Sequence, residues 1–240
     1  MIAPADTPND RGSSTGASTG QCHVWFVSLT VDDSKENELL SVLSSDERRR
    51  MDRRPLRTAA RQSALAWASL RIALSQYTGS APKTVQILRD RSGRPHVVHP
   101  AGLSVSLAHS GDVAALAVTE AGRVGVDVER LRPLDDRALA RRFYASSEAD
   151  ALAVLPPEER RRAFFRLWVR KEAVAKAAGV GVPAALRHTV SSSGAAEHPD
   201  PLIDKGAAAD WTLCDVRAPV GYAAAVALDR CDVRICLHEA

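Results

Sequence analysis

The sequence predicts an α/β protein (α+β class) built from two similar halves, each a small antiparallel sheet packed with a long helix. Two observations support this prediction. Each half contains one long helical segment, and each contains an alanine-rich apolar strand, at residues 113–118 and 223–228. The links between successive strand candidates are too short for the crossover that a parallel pair needs, so the sheets are expected to be antiparallel. No residue-level repeat relates the two halves.

The first half, residues 21–119, follows a segment that is not expected to fold. Residues 1–20 are rich in Ser, Thr, Gly and Pro and hold almost no large apolar side chain, so they are predicted to be a flexible tail. The long helix over 57–77 carries leucines at helical spacing, and Gly79 suits its end. The elements expected here are a strand at 24–30, a short helix at 46–51, the long helix at 57–77 and three strands at 84–88, 104–108 and 113–118.

The second half, residues 120–240, begins with a strand that is expected to continue an antiparallel meander. The three strands of that meander are at residues 104–108, 113–118 and 124–129. Pro156 and Pro157 then mark the start of a second long helix, and the glycines after Ala178 mark its end. The other expected elements are helical residues 135–155 with a turn near Tyr144, a loop over 191–201, and a hairpin of strands 211–216 and 221–228.

Composition excludes several classes of protein. The 240 residues (25.8 kDa) are 45% hydrophobic and 25% charged, which is typical of a soluble globular chain. No uncharged apolar stretch is long enough to span a membrane, and the N-terminus lacks the pattern of a secretory signal, so the expected location is the cytoplasm. The four cysteines are too few and too irregular for a disulfide framework or a zinc site. A net charge of +3 is too small to indicate binding of nucleic acid by the whole surface.

The strand V-G-V-D-V-E at residues 124–129 places two carboxylates on one face. Because side chains alternate along a strand, Asp127 and Glu129 face the same side as Gly125, which would let a ligand approach the backbone. Paired carboxylates of this kind suit Mg²⁺, which prefers oxygen ligands and shares its shell with phosphates and water. The alternative is an amphipathic strand whose polar face lies in water.

The second long helix offers a third carboxylate and an ammonium group. Glu172 and Lys176 are four residues apart and share a helix face, with Trp168 one turn earlier. The tryptophan indicates a partly buried stripe, which is an unusual place for a solvated ion pair. Glu172 could complete a Mg²⁺ site, and Lys176 could neutralise phosphate charge. The alternative is an ordinary surface Glu–Lys pair.

Basic side chains elsewhere could bind phosphate. His109 follows the strand at 104–108, and the meander would bring that strand beside the one that carries Asp127. Arg94 lies in the turn S-G-R-P, and residues 46–61 are rich in arginine. The arginine-rich segment could bind phosphate or nucleic acid, or could simply be a solvated face. Neither G-x-G-x-x-G nor a P-loop occurs in the chain.

Taken in order, these segments resemble the 4′-phosphopantetheinyl transferase family, in the longer monomeric type that activates peptide and polyketide synthases. The resemblance spans about residues 44–228 and rests on G-R-P, L-A-H-S-G, V-G-V-D-V-E-R and F-F-R-L-W-V-R-K-E-A-V-A-K-A-A-G-V-G. Its most specific parts are V-G-V-D-V-E and W-x-x-K-E-x-x-x-K. The resemblance implies two halves related by a pseudo-twofold axis, with coenzyme A bound at their junction.

The resemblance also implies roles for particular residues. It assigns Mg²⁺ and the pyrophosphate of coenzyme A to Asp127, Glu129 and Glu172, and the phosphates also to Lys176. It assigns the nucleotide end of coenzyme A to His109, Arg61, Arg50 and Arg94, the last two standing where the family often has lysine. The chain departs from the family at Ala108, where serine is common, and at Glu47, near which the family has a basic residue.

The activity that the resemblance implies is transfer of the 4′-phosphopantetheine arm from coenzyme A to a serine of an apo acyl, peptidyl or polyketide carrier protein. Adenosine 3′,5′-bisphosphate is released, Mg²⁺ is the cofactor, and the protein is expected to act as a monomer without nucleic-acid or membrane partners. Glu172, or a metal-bound water that it orients, is the candidate base, and Lys176 the second catalytic candidate. The alternatives are a Mg²⁺-dependent phosphohydrolase and a non-catalytic arginine-rich binding module.

Overall fold

The structure is a computed structural model, and it describes residues 20–53, 55–90, 93–99, 102–180, 200–202 and 211–239. The predicted tail therefore lies outside the described residues, apart from Gly20, as does the predicted loop as far as residue 199. In chain order the elements are β1 (Gly20–Ser28), α1 (Asp33–Ser41), α2 (Ser45–Asp52), α3 (Arg57–Thr78), a 3₁₀ turn (Pro82–Thr84), β2 (Ile87–Arg89), β3 (Pro95–Val97), β4 (Ser104–Ser110), β5 (Val113–Thr119), β6 (Val124–Arg130), α4 (Asp136–Phe143), α5 (Ser146–Ala153), α6 (Pro157–Ala178), β7 (Asp200–Leu202), β8 (Trp211–Asp215), β9 (Tyr222–Leu228) and β10 (Val233–Glu239).

The chain divides into two compact units, one formed by residues 1–121 with 232–240 and the other by residues 122–231. From the sequence, the second half is predicted to include all of residues 120–240. The C-terminal strand belongs instead to the first unit, because β10 pairs in parallel with β1 along its whole length. Within the described ranges, no helix is both long enough and apolar enough to cross a membrane.

The first unit is a four-stranded sheet with a long helix packed against it. The strand order is β10-β1-β5-β4, and β5 pairs antiparallel with both β1 and β4. The core contains Trp25 of β1, Leu70 of α3 and Leu116 of β5, all fully buried. Gly79 has a φ of 63° and ends α3, as predicted from the sequence. This unit has the predicted combination of a sheet and a long helix, with one parallel strand pair in addition.

The second unit is an antiparallel sheet of order β6-β9-β8-β7 with α6 packed against it. The predicted hairpin of β8 and β9 is confirmed. The predicted three-stranded meander is wrong in its last step, because β6 pairs with β9 and not with β5. Both edges of β5 are already occupied by β1 and β4, which leaves no edge for a third strand. The mixed fold class is confirmed.

Small residues allow α6 to lie very close to β6. On the sheet face that α6 covers, Gly125 is opposite Ala227 and Asp127 is opposite Ala225. A side chain added at Gly125 would overlap the carbonyl oxygen of Ala173 and would lie 2.6 Å from the amide nitrogen of Ala177. The backbones of the helix and the strand are therefore in direct contact at this glycine.

Gly125→Ala is expected to lower the free energy of unfolding by about 3 kcal/mol, because helix α6 must move away from β6 to admit one methyl group. The measurement is urea-induced unfolding followed by circular dichroism. Gly93→Ala is the control, since no atom of the described residues lies within 4 Å of the added carbon and the expected strain comes from a φ of 87°. The control should cost about 1 kcal/mol. Equal costs for the two variants would contradict the close backbone contact.

Candidate active site

Strand β6 places three residues on the face that α6 covers. Gly125, Asp127 and Glu129 share that face, while the three valines that alternate with them, Val124, Val126 and Val128, are buried on the other side. Contact between Gly125 and Ala173 places the next residue toward the helix N-terminus, Glu172, beside the same part of the strand. The register of strand and helix therefore brings the predicted acidic residues into one region.

A direct ion pair links the strand to the helix at this point. The ammonium nitrogen of Lys176 lies 2.7 Å from Oδ1 of Asp127 and donates a second hydrogen bond to the carbonyl oxygen of Val126 at 3.2 Å. The Asp127 side chain is 7% exposed. Its other oxygen, Oδ2, is buried and has no hydrogen-bond partner among the described residues. Oδ2 of Asp127 could therefore accept a hydrogen bond from a ligand or coordinate a cation.

The pKa values indicate that the acidic groups interact strongly. The pKa of Asp127 is raised to about 7, mainly by burial; the negative charges of Glu172 and Glu129 also raise it, and Lys176 lowers it. Burial also raises the pKa of Glu172, with Lys176 lowering it and Glu129 raising it. Asp127 and Glu172 share the ammonium group of Lys176, and Glu129 adds a further negative charge nearby, so the region attracts either protons or an additional cation.

The chemistry of these donors fits a magnesium ion. All three side chains offer hard oxygen ligands, and the buried Asp127 Oδ2 lacks a hydrogen-bond partner among the described residues. The described ranges contain no group of three or more His, Cys, Asp or Glu side chains already gathered for a metal. Mg²⁺ does not require such a cage, because it usually binds through one or two carboxylates together with water and substrate phosphates. Glu129 lies at the edge of this group of carboxylates, 3.5 Å from the exposed guanidinium of Arg132.

All four predicted basic residues belong to the first unit, whereas the carboxylates belong to the second. His109 lies in β4, which pairs with β5, whereas Asp127 lies in β6, which pairs with β9. The predicted meander that would pair these strands and bring His109 beside Asp127 is therefore wrong, and a role for His109 in binding nucleotide stays a prediction. Arg94 lies in the turn between β2 and β3, where its backbone N–H donates to the Asp90 carboxylate at 3.0 Å.

Arg61 already has protein partners on all three nitrogens. Its Nε donates to Glu36 at 2.7 Å, and its two terminal nitrogens donate to the carbonyl oxygens of Leu29 and Val31. These contacts fix the segment between β1 and α1 against α3. A role for Arg61 in binding nucleotide stays a prediction, and it would require Arg61 to exchange some of these acceptors for phosphate.

Arg50 lies beside a cavity of about 290 Å³ in the first unit. Two further arginines line it, Arg53 and Arg89, and the guanidinium of Arg89 stacks over the ring of Trp67 at 3.5 Å. The remaining lining is mostly apolar and includes Leu43, Met51, Pro55, Ala60 and Ala64. An apolar cavity with a cationic rim suits a ligand that carries both a flat or apolar part and negative charge.

Sequence reasoning missed the buried ion pairs that surround α6. Lys171 pairs with Glu148 at 2.8 Å, and both side chains are almost fully buried. Arg170 binds Asp215 with two nitrogens, at 2.6 and 2.8 Å. The partners are 23 and 45 residues apart in the chain, so no local spacing predicts either pair. One sequence signal does exist for Lys171, because lysine is scarce in this arginine-rich chain.

Comparison with known proteins identifies the class to which this fold and site belong. A family model described as the 4′-phosphopantetheinyl transferase superfamily matches residues 123–227, which include Asp127, Glu129, Glu172 and Lys176. The 4′-phosphopantetheinyl transferase HetI of Nostoc sp. is 34% identical over 166 residues, covering 68% of this chain and 70% of the relative.

Two further relatives carry the same activity in their names. The 4′-phosphopantetheinyl transferase AcpT of Salmonella typhimurium is 36% identical over 115 residues, or 48% of this chain and 58% of its own length. The 4′-phosphopantetheinyl transferase psf-1 of Bacillus pumilus is 38% identical over 91 residues, or 38% of each chain. The chain belongs to the 4′-phosphopantetheinyl transferase family and is an enzyme of that type, which confirms the resemblance drawn from its motifs. Assignment to the longer monomeric type stays a prediction.

Asp127 gives the stability of the protein a pH dependence of defined sign. Its pKa is about 7 in the folded chain against an ordinary value of 3.8, so the folded chain holds a proton that the unfolded chain releases. The stabilisation from this group is complete below the ordinary value and is lost as the pH rises through about 7. With divalent cations chelated, the free energy of unfolding should fall more steeply from about pH 4 to about pH 7 in the parent chain than in Asp127→Asn.

The measurement for this prediction is urea unfolding at several pH values. Glu159→Gln, an exposed carboxylate in the first turn of α6, is the control and should keep the slope of the parent chain. If Asp127→Asn and the parent have the same slope, the raised pKa of Asp127 is wrong.

Proposed function

We propose that this enzyme transfers the 4′-phosphopantetheine arm from coenzyme A to a serine hydroxyl of an apo carrier protein and releases adenosine 3′,5′-bisphosphate. The observation that carries the proposal is the buried Asp127–Lys176 pair with Glu172 beside it, inside the segment that the family model matches. Carboxylates and an ammonium group in one region are what a pyrophosphate substrate and its metal need.

The reaction is a displacement at phosphorus. The serine oxygen of the carrier attacks the phosphorus that bears the pantetheine arm, and a new P–O bond forms. The bond from that phosphorus to the bridging oxygen breaks, and adenosine 3′,5′-bisphosphate leaves with the electron pair. The serine proton must pass to a base. Because the nucleophile belongs to the carrier, the enzyme needs no nucleophile of its own and contributes positioning and charge stabilisation.

Glu172 is the proposed base. Burial raises its pKa, which makes its carboxylate a stronger proton acceptor than an exposed glutamate. Lys176 lies one turn further along α6, where its ammonium now neutralises Asp127. In the complex, this ammonium would donate to a phosphate oxygen as negative charge develops on the leaving group.

Asp127, Glu129 and Glu172 are the residues that would hold Mg²⁺. When bound, the metal would neutralise pyrophosphate charge and orient the phosphates for displacement. Asp127 contributes the buried oxygen that has no hydrogen-bond partner in the described part of the chain. Burial of this group keeps water from competing for the same oxygen.

The nucleotide end of coenzyme A is proposed to meet the basic residues of the first unit, namely Arg50, Arg61, Arg94 and His109. Support is strongest for Arg50, which lines the cavity beside Trp67 together with Arg53 and Arg89. The exposed arginines of α2 would also attract an acidic carrier protein and increase its rate of encounter.

The direct test is to incubate the enzyme with coenzyme A, Mg²⁺ and a panel of apo acyl, peptidyl and polyketide carrier domains, followed by mass spectrometry. The expected result is a mass gain of one phosphopantetheine arm on the carrier serine. Breakdown of coenzyme A without any gain on a carrier would indicate a phosphohydrolase. Neither breakdown nor a gain with any carrier would contradict the proposed function.

Glu172→Gln keeps the shape of the side chain and removes its basicity. We expect kcat for carrier modification to fall by about 100-fold or more, because general-base catalysis is lost, with little change in the Kd of coenzyme A. Glu159→Gln makes the same chemical change on an exposed part of α6 and should leave both values unchanged. Weaker binding of coenzyme A with kcat preserved at saturation would exclude Glu172 as the base.

A further inference from the structure

We propose that the buried ion pair between Lys171 and Glu148 is a positioning pair, which fixes the rotation of α6 about its axis so that Glu172 and Lys176 face Asp127. The inference rests on the proposed function in one respect only, because carrier modification is one of its two readouts. Neither Lys171 nor Glu148 is proposed to touch a substrate.

Four consecutive residues of α6 are directed to four different sides, since each residue turns the helix by about 100°. Arg170 binds Asp215 of β8, and Lys171 binds Glu148 of α5. The backbone of Ala173 lies against Gly125 of β6. Glu172 lies between Lys171 and Ala173 in the chain and is therefore on the side of α6 that faces Asp127. The helix is therefore held on three sides at the position where the proposed base projects.

The Lys171–Glu148 pair is shielded from solvent, and its two side chains meet in a defined geometry. The lysine side chain is 0% exposed and the glutamate 5%, with 2.8 Å between Nζ and Oε2. The ammonium also lies 5.1 Å from the centre of the Tyr144 ring, whose hydroxyl donates to the Phe164 carbonyl of α6 at 2.9 Å. The same Glu148 oxygen accepts the backbone N–H of Ala145 at 3.2 Å. Glu148 is thus itself held in place while it holds Lys171.

Stability alone does not account for such a pair. Burying two charges costs about as much as their attraction returns, and apolar residues of the same volume often stabilise a core equally well. An apolar contact, however, tolerates sliding and rotation, whereas a hydrogen-bonded ion pair is satisfied in one orientation only. Rotating a helix by about 20° would carry a side-chain group at its periphery through about 2 Å. A misplacement of about 1 Å can lower a catalytic rate by about 100-fold.

The same helix offers a matched control. Arg160 pairs with Asp136 of α4 at 2.6 Å, and these side chains are 12% and 8% exposed. This second pair is also buried and also joins α6 to a neighbouring helix, but it lies about three turns before Glu172. Loss of the Arg160–Asp136 pair should lower the free energy of unfolding by a similar amount, and it should not rotate α6 at Glu172.

The experiment compares Lys171→Met/Glu148→Gln with Arg160→Met/Asp136→Asn. The glutamine keeps an acceptor for the Ala145 N–H, and each variant removes both charges of its pair. For the first variant, kcat of carrier modification should fall by about 100-fold while the KM of coenzyme A stays within about threefold. For the control, both constants should stay within about threefold of the parent. Lys171→Arg/Glu148→Asp, which restores an ion pair, should recover most of the lost kcat.

The second readout does not depend on the reaction. In crystal structures of the two variants, the distance from Lys176 Nζ to Asp127 Oδ1 should stay near 2.7 Å in the control and lengthen when the Lys171 pair is removed. If Lys171→Met/Glu148→Gln does not fold, Lys171→Gln/Glu148→Gln keeps a neutral hydrogen bond and takes its place. An unchanged distance, or equal loss of kcat in both pairs, would overturn the proposal. Absence of carrier modification by the parent enzyme would refute the proposed function instead, and the distance would still decide the role of the pair.

Discussion

The backbone contact between α6 and β6 at Gly125 determines the geometry of the whole carboxylate region. Because no side chain separates Gly125 from Ala173, the helix lies as close to the strand as two backbones allow. Asp127 is two residues along the strand, and Lys176 is three residues along the helix, where its ammonium reaches Oδ1 of Asp127 at 2.7 Å. The alanines of β9 that face the helix keep the rest of this surface flat. Close approach is thus what makes a short, buried ion pair between strand and helix possible.

Burial has a second consequence at this position, since the negative charge of the buried carboxylates is only partly neutralised. The ammonium group of Lys176 serves both Asp127 and Glu172, whose pKa values are raised by burial and by neighbouring carboxylates, and one buried oxygen of Asp127 has no partner among the described residues. A polar atom left in this state costs free energy in the folded chain. That cost would be recovered when a cation and its phosphate ligands arrive, which relates the fold of the second unit directly to the proposed transfer of a phosphopantetheine arm.

Features with a local signature were predictable from the sequence. Helical spacing of leucines and the terminal Gly79 predicted α3, and Pro156 with Pro157 predicted the start of α6. Strand alternation placed Asp127 and Glu129 on one face, and the four-residue spacing placed Glu172 and Lys176 on one side of a helix. What the sequence did not predict depends on long-range pairing. The parallel addition of β10 to β1, the pairing of β6 with β9 and the Arg61–Glu36 and Lys171–Glu148 ion pairs all join segments with no local sign of their partner.

The most direct measurement is a crystal structure of the enzyme with coenzyme A and Mg²⁺. We expect one ion bound to the pyrophosphate, with oxygen ligands from Asp127, Glu129 and Glu172 at about 2.1 Å. Helix α6 and strand β6 should keep their contact at Gly125 when the ion is bound. A Glu172 carboxylate about 10 Å or more from the ion, well beyond coordination distance, would contradict the account.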